Sequence, residues 1–181
     1  MLPGDQEPAP GYDDPLGMIK ACHRRIERQL ATLDRLQRHL PARGCDADAR
    51  AAAAGILRYF DTAAPHHHAD EEDSVLPRLV AAVPGARALA ETLRREHGDL
   101  AANWQRLRPV LAATAAGTGA ELTAALVAEV RTAYTAHIAL EESELIPLAA
   151  RSFDAATLAI IGGEMAARRG VDPSAPGRSV R

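Results

Sequence analysis

Apolar residues recur along this chain in alternating steps of three and four, the period of a helix with one buried face. The first stripe reads Ile19, His23, Ile26, Leu30, Leu33, Gln37, Leu40. Asp13 or Asp14 can cap it, Pro15 suits its first turn, and Pro41 and Gly44 end it. A second stripe, Ile56, Phe60, Ala63, His67, Glu71, Val75, Leu79, runs from a cap at Asp46 or Asp48 to about Val83, with a kink expected at Pro65. The third, from about Ala86 to Ala116, is Leu89, Leu93, His97, Leu100, Trp104, Leu107, Leu111. The fourth, from about Ala120 to Ala150, is Leu126, Val130, Tyr134, His137, Glu141, Glu144, Leu148. Asp154 can cap a short further helix through about Arg168. Short joints between long helices predict an all-α, up-down-up-down four-helix bundle over residues 13–169, with a short C-terminal fifth helix over one end. Residues 1–12 and 170–181, rich in Pro and Gly, are expected to be disordered.

Each apolar stripe carries one histidine, and two of them add a glutamate. His67 and Glu71 are four residues apart, as are His137 and Glu141, so each pair shares a helix face. The runs that follow also match: Glu71-Glu72-Asp73-Ser74-Val75-Leu76-Pro77 against Glu141-Glu142-Ser143-Glu144-Leu145-Ile146-Pro147. Upstream of each pair stands one more histidine, His23 and then His97. Such an internal repeat points to two helical hairpins giving equivalent ligands to one central site.

Burying four imidazoles and two carboxylates without a counter-charge is costly. Two divalent or trivalent metal ions compensate it. A metal-free Glu–His hydrogen-bond network is the other arrangement that the pattern allows. Mixed imidazole and carboxylate donors inside a bundle suit iron, with manganese as an alternative and zinc less natural. Following the hairpins, His23 and His67 hold one metal, His97 and His137 the other, and Glu71 and Glu141 bridge them. His66 and His68 flank His67 about 100° to either side and are expected at the bundle surface or shoulder. Glu72 and Glu142 are expected to face solvent.

Composition narrows the classes. Apolar residues make up 47% of the chain but aromatics only 3%, so the apolar mass is Ala, Leu, Val and Ile, which favours helices. A net charge of −3 gives no footprint for nucleic acid. No apolar run approaches the roughly 20 residues that span a bilayer. The N-terminal stretch lacks the charged and apolar regions of a signal peptide. Cys22 and Cys45 form no disulfide framework. These features together predict a cytoplasmic protein with reduced thiols.

The chain resembles the hemerythrin-like, HHE cation-binding family. The resemblance rests on His23, His67/Glu71, His97, His137/Glu141, the two Glu-Glu-x-x-[Leu/Val]-x-Pro runs and Gly163-Glu164-Met165-Ala166-Ala167-Arg168-Arg169, and covers about residues 14–169. It implies a four-helix bundle around an oxygen-bridged, non-haem diiron centre. Two departures stand out. Oxygen-carrying members have a fifth histidine, in a His-x-x-x-His pair on the third helix, where this chain has Leu93 and Ala101 on either side of His97. They also bridge with an aspartate five residues after the fourth-helix histidine, where this chain has Glu141 at four. With two imidazoles per metal, both metals are short of six ligands, an arrangement that permits O–O cleavage. Glu144 and Tyr134 are additional ligand candidates. The resemblance therefore implies a diiron oxidoreductase that reacts with O2, peroxide or NO and draws on an unidentified electron donor. The alternative is a module that binds O2 or iron reversibly for sensing or storage, which the absence of an output domain in the sequence disfavours.

Overall fold

The computed structural model describes residues 10–119 and 121–171, and every regular element among them is helical. Helix α1 spans Pro15–Arg43. Helix α2 (Ala47–Ala69) passes through a π-helical turn, Asp70–Val75, into α3 (Leu76–Ala82). After a short 3-10 turn at Pro84–Ala86 comes α4 (Arg87–Ala116). Helix α5 (Ala124–Leu140) passes through a second π turn, Glu141–Leu145, into α6 (Ile146–Ser152), and α7 spans Ala155–Arg168.

The helix starts follow local chemistry. The carboxylates of Asp14, Asp46 and Asp154 accept from the backbone N–H three residues on, at 2.8–2.9 Å, and Thr123 does the same for α5. Helix α1 runs past Pro41 to Arg43, and α2 runs through Pro65 without ending. Each π turn lies just before a proline, Pro77 or Pro147. A proline has no N–H to give and its ring crowds the carbonyl one turn back, so the ladder slips by one residue. Leu76 and Ile146 accordingly donate to the carbonyls of Glu71 and Glu141, five residues earlier.

Helices α1, α2, α4 and α5 pack in a ring, each against the next, and α7 lies on α1 and on the first π turn. This is the expected four-helix bundle with its fifth helix at one end. The apolar interior is in two parts. One holds Ile26, Leu33, Ile56, Phe60, Leu107 and Leu111, and the other Ile19, Leu76, Leu79, Leu93, Ile161 and Met165. Along α1, His23 lies between Ile19 and Ile26, at the junction of the two parts.

Some stripe positions differ by one residue from the periodic reading. Leu36, Ala64 and Val127 are buried, while Gln37, Ala63 and Leu126 are half-buried. The expected disordered ends fall mostly outside the described residues, at 1–9 and 172–181. Within them, Tyr12 packs on α7: its carbonyl lies 1.8 Å from where a Cβ on Gly162 would stand, so only glycine fits there. Gly170 and Val171 close the end of α7, donating to the carbonyls of Ala167 and Ala166.

Candidate metal centre

His23 comes from α1, His67 from α2, His97 from α4 and His137 from α5, while Glu71 and Glu141 open from the two π turns. All six side chains are buried, both glutamates completely. The structure brings them into two overlapping groups. His23, His67, Glu71 and Glu141 form one, and His97, His137, Glu71 and Glu141 the other, with the ligand atoms of each group all within 4.8 Å of one another. Both carboxylates belong to both groups. His23 Nε2 is 3.0 Å from Glu141 and 4.0 Å from Glu71, His137 Nε2 is 3.1 Å from Glu141, and His97 Nε2 is 3.4 Å from Glu71 and 3.7 Å from Glu141.

These approaches are close, yet the atoms lack the in-line geometry of hydrogen bonds. Among the described residues, every buried side-chain nitrogen or oxygen without a hydrogen-bond partner belongs to this cluster or to His68, apart from the Tyr12 hydroxyl. Orphaned polar atoms of this kind are rare in a folded interior. Each group instead gathers such atoms within 4.8 Å of one another, as the ligands of one cation are gathered. The donor set therefore fits two cations.

The other ring nitrogens are held from outside. Glu142 accepts from His23 Nδ1 at 3.0 Å, Glu72 from His97 Nδ1 at 2.6 Å, and Glu96 from His137 Nδ1 at 2.9 Å. Each carboxylate fixes the proton on Nδ1 and leaves the Nε2 lone pair free to face the centre. Glu142 is exposed, as the sequence suggests, and Glu72 half-buried, yet each also takes a hydrogen bond from a histidine of the centre. They follow the cluster glutamates at the wide π turns and reach across to the neighbouring helix. Their matching places in the repeat were the signal for a shared role. Glu96 carries no such signal in the sequence.

The set of orienting carboxylates is incomplete at His67. Glu96 precedes His97, and at the matching place before His23 stands Cys22. Neither nitrogen of His67 has a hydrogen-bond partner.

His68 lies half-buried, at the shoulder of the bundle that the sequence suggests. Its ring stacks on His97 with centroids 4.1 Å apart and planes 14° apart, and its Nε2 is buried without a partner. Nitrogens of His68, His97 and His137 lie within 4.8 Å of one another. Two imidazoles on one ion must each hold that ion in the ring plane, which two stacked, near-parallel rings do not. As placed, His68 is a neighbour of the His97/His137 position rather than a third ligand to it.

Glu144 is exposed. The extra residue of the π turn rotates it outward and brings Leu145 in, so it is not a ligand. Tyr134 is buried, and its ring packs on Phe60, with centroids 5.4 Å apart, in the apolar part of the bundle.

Without a cation the charges divide unevenly. Burial, with the Glu141 charge beside it, pushes Glu71 well above the usual carboxylate range. Burial also opposes charge on Glu141, but the approach of His137, His23 and His97 outweighs it and holds that carboxyl well below the usual range. Burial drives His67 well below its ordinary value and His68 down to about 3. On His97 burial is outweighed by Glu141 and Glu72, which raise it.

The α7 motif acts on this centre from behind. Asp70, buried next to Glu71, is paired with Arg168 and with Arg169, whose Nη2 lies 2.6 Å from the carboxylate. Glu164 takes two hydrogen bonds from Arg78, at 2.7 and 3.0 Å. Together these pairs pin α7 to the first π turn and to α3. No described helix is long and apolar enough to cross a membrane.

Comparison with known proteins agrees with this geometry. The family model described as "Hemerythrin HHE cation binding domain" matches residues 14–149. An uncharacterized protein of Haemophilus influenzae is 31% identical over 160 residues, covering 88% of this chain and 92% of its own length.

Proposed function

Because the chain belongs to the hemerythrin HHE cation-binding family, we propose that its His/Glu cluster holds two iron ions and reacts with O2, peroxide or NO as a diiron oxidoreductase. His23 and His67 would hold one ion, His97 and His137 the other, and Glu71 and Glu141 would serve both. The observation that carries this reading is that both buried carboxylates are shared by both histidine pairs. Iron supplies one-electron redox steps and open coordination positions at such a site.

The chain's own residues do the rest. Glu142, Glu72 and Glu96 orient three imidazoles and raise their basicity. The apolar layers on both sides exclude water. Two histidines would serve each ion, with Glu144 turned outward and His68 stacked on His97, which would leave open positions at both and favours turnover over reversible carriage. An external electron donor and a cytoplasmic location with reduced Cys22 and Cys45 complete the reading.

The test is an optical titration of anaerobically reduced, iron-loaded protein with O2. Turnover gives a transient charge-transfer band that decays to a diferric spectrum. A stable band that reverses under argon would overturn the oxidoreductase reading in favour of reversible binding.

A further inference from the structure

His68 is a half-buried imidazole with an enclosed Nε2 that the six-ligand centre does not use. It sits one residue from His67 on α2 and lies over the face of His97, edge-on to His137 at 6.1 Å and 80°. The carboxylates that reach this layer are engaged elsewhere: Glu72 holds His97, Glu96 holds His137 and Glu142 holds His23. The His68 Nε2 is left enclosed and without a partner, and a ring nitrogen of His68 lies within 4.8 Å of nitrogens of His97 and His137. An enclosed imidazole nitrogen with no partner is costly unless something fills the space beside it.

We propose that His68 is a positioning residue for the small ligand: its Nε2–H donates a hydrogen bond to an anion or diatomic molecule held at the His97/His137 position. The inference rests on the dinuclear reading above. It makes the two positions unequal, because among the described residues the same group of nitrogens at the His23/His67 position includes no spare imidazole. A small ligand is then directed to the α4–α5 side of the centre. A neutral imidazole suffices for this, since one ring nitrogen always carries a proton.

Azide binding to the diferric protein, followed by its charge-transfer band, reads this hydrogen bond, with iron content measured alongside. His68→Leu is expected to keep two irons per chain and to bind azide roughly 10- to 100-fold more weakly, the range for one hydrogen bond to a charged group. His68→Gln, whose amide can donate from nearly the same place, is expected to recover most of that loss. Unchanged azide affinity in His68→Leu overturns the proposal. So does loss of an iron in that variant, which would make His68 a ligand, and so does a His68→Gln variant as weak as His68→Leu, which would make it a packing residue. If the wild-type protein itself holds fewer than two irons, it is the dinuclear reading that fails, and this inference falls with it.

Discussion

Glu72 accepts a hydrogen bond from Nδ1 of His97 at 2.6 Å, reaching from the first π turn to α4. Glu142 makes the matching bond from the second π turn to His23 on α1. Glu72→Gln is expected to weaken metal binding at the His97/His137 position by roughly 10- to 100-fold, and Glu142→Gln at the other position by a similar factor. Exposed Glu144→Gln serves as the control and leaves both unchanged. Competition against a chromophoric chelator measures this, and equal affinities in all three variants would remove the orienting role.

The centre is also a proton-release site. In the metal-free protein Glu71 holds its proton to higher pH than an ordinary carboxyl, because burial and the Glu141 charge raise it. A cation must displace that proton. Apparent affinity therefore rises with pH, about tenfold per unit for each proton displaced, until pH passes the raised value of Glu71. His67 adds nothing near pH 7, since burial already keeps it neutral. Calorimetric titrations in buffers of different ionisation enthalpy count the protons across the pH range, and a count that stays at zero just above the ordinary carboxylate range would contradict this charge assignment.

Removing the metals should destabilise the fold. Ligands that bind only the folded state stabilise it by about 4 kcal/mol at a thousandfold excess over Kd. For a chain of this size that corresponds to roughly 10 °C in Tm. Thermal melts before and after chelation, with metal loss confirmed, check this. An unchanged Tm would mean that the metals do not bind the folded state in preference to the unfolded chain, which would count against a buried site.

Asp70 is a buried carboxylate with two arginine partners from α7. Arg168→Ala combined with Arg169→Ala leaves its charge uncompensated and is expected to cost about 3–5 kcal/mol. Either substitution alone costs less, because one partner remains. Denaturant titration of the metal-loaded protein measures the loss, and a double-variant effect below about 1 kcal/mol would show that α7 is held by its apolar face alone.

The bundle and its six central residues were legible because the periodic stripes place them. His23, His67, His97 and His137 each stand where an aliphatic residue belongs, and the matching runs that follow link Glu71 to Glu141. What periodicity hid lies where the helices depart from 3.6 residues per turn or reach across to a neighbour. Pro77 and Pro147 announce the π turns, but a strict helical count carries Glu144 inward when the slip turns it out. Residues next to a stripe, such as Glu72, Glu142 and His68, look solvent-facing on an isolated helix. In the bundle they lie in the crevice between adjacent helices, where a long or flat side chain reaches the next ligand. The C-terminal Arg168-Arg169 pair gave no hint of its partner, because Asp70 lies 98 residues away in sequence from Arg168.

The central claim is that Glu71 and Glu141 join two histidine pairs into one dinuclear site. Iron stoichiometry of anaerobically loaded wild type, Glu71→Ala and Glu141→Ala tests it most directly. The account predicts two irons per wild-type chain and a loss at both positions when either carboxylate is removed, since each serves both ions. One iron in the wild type, or two irons retained in either alanine variant, would contradict it.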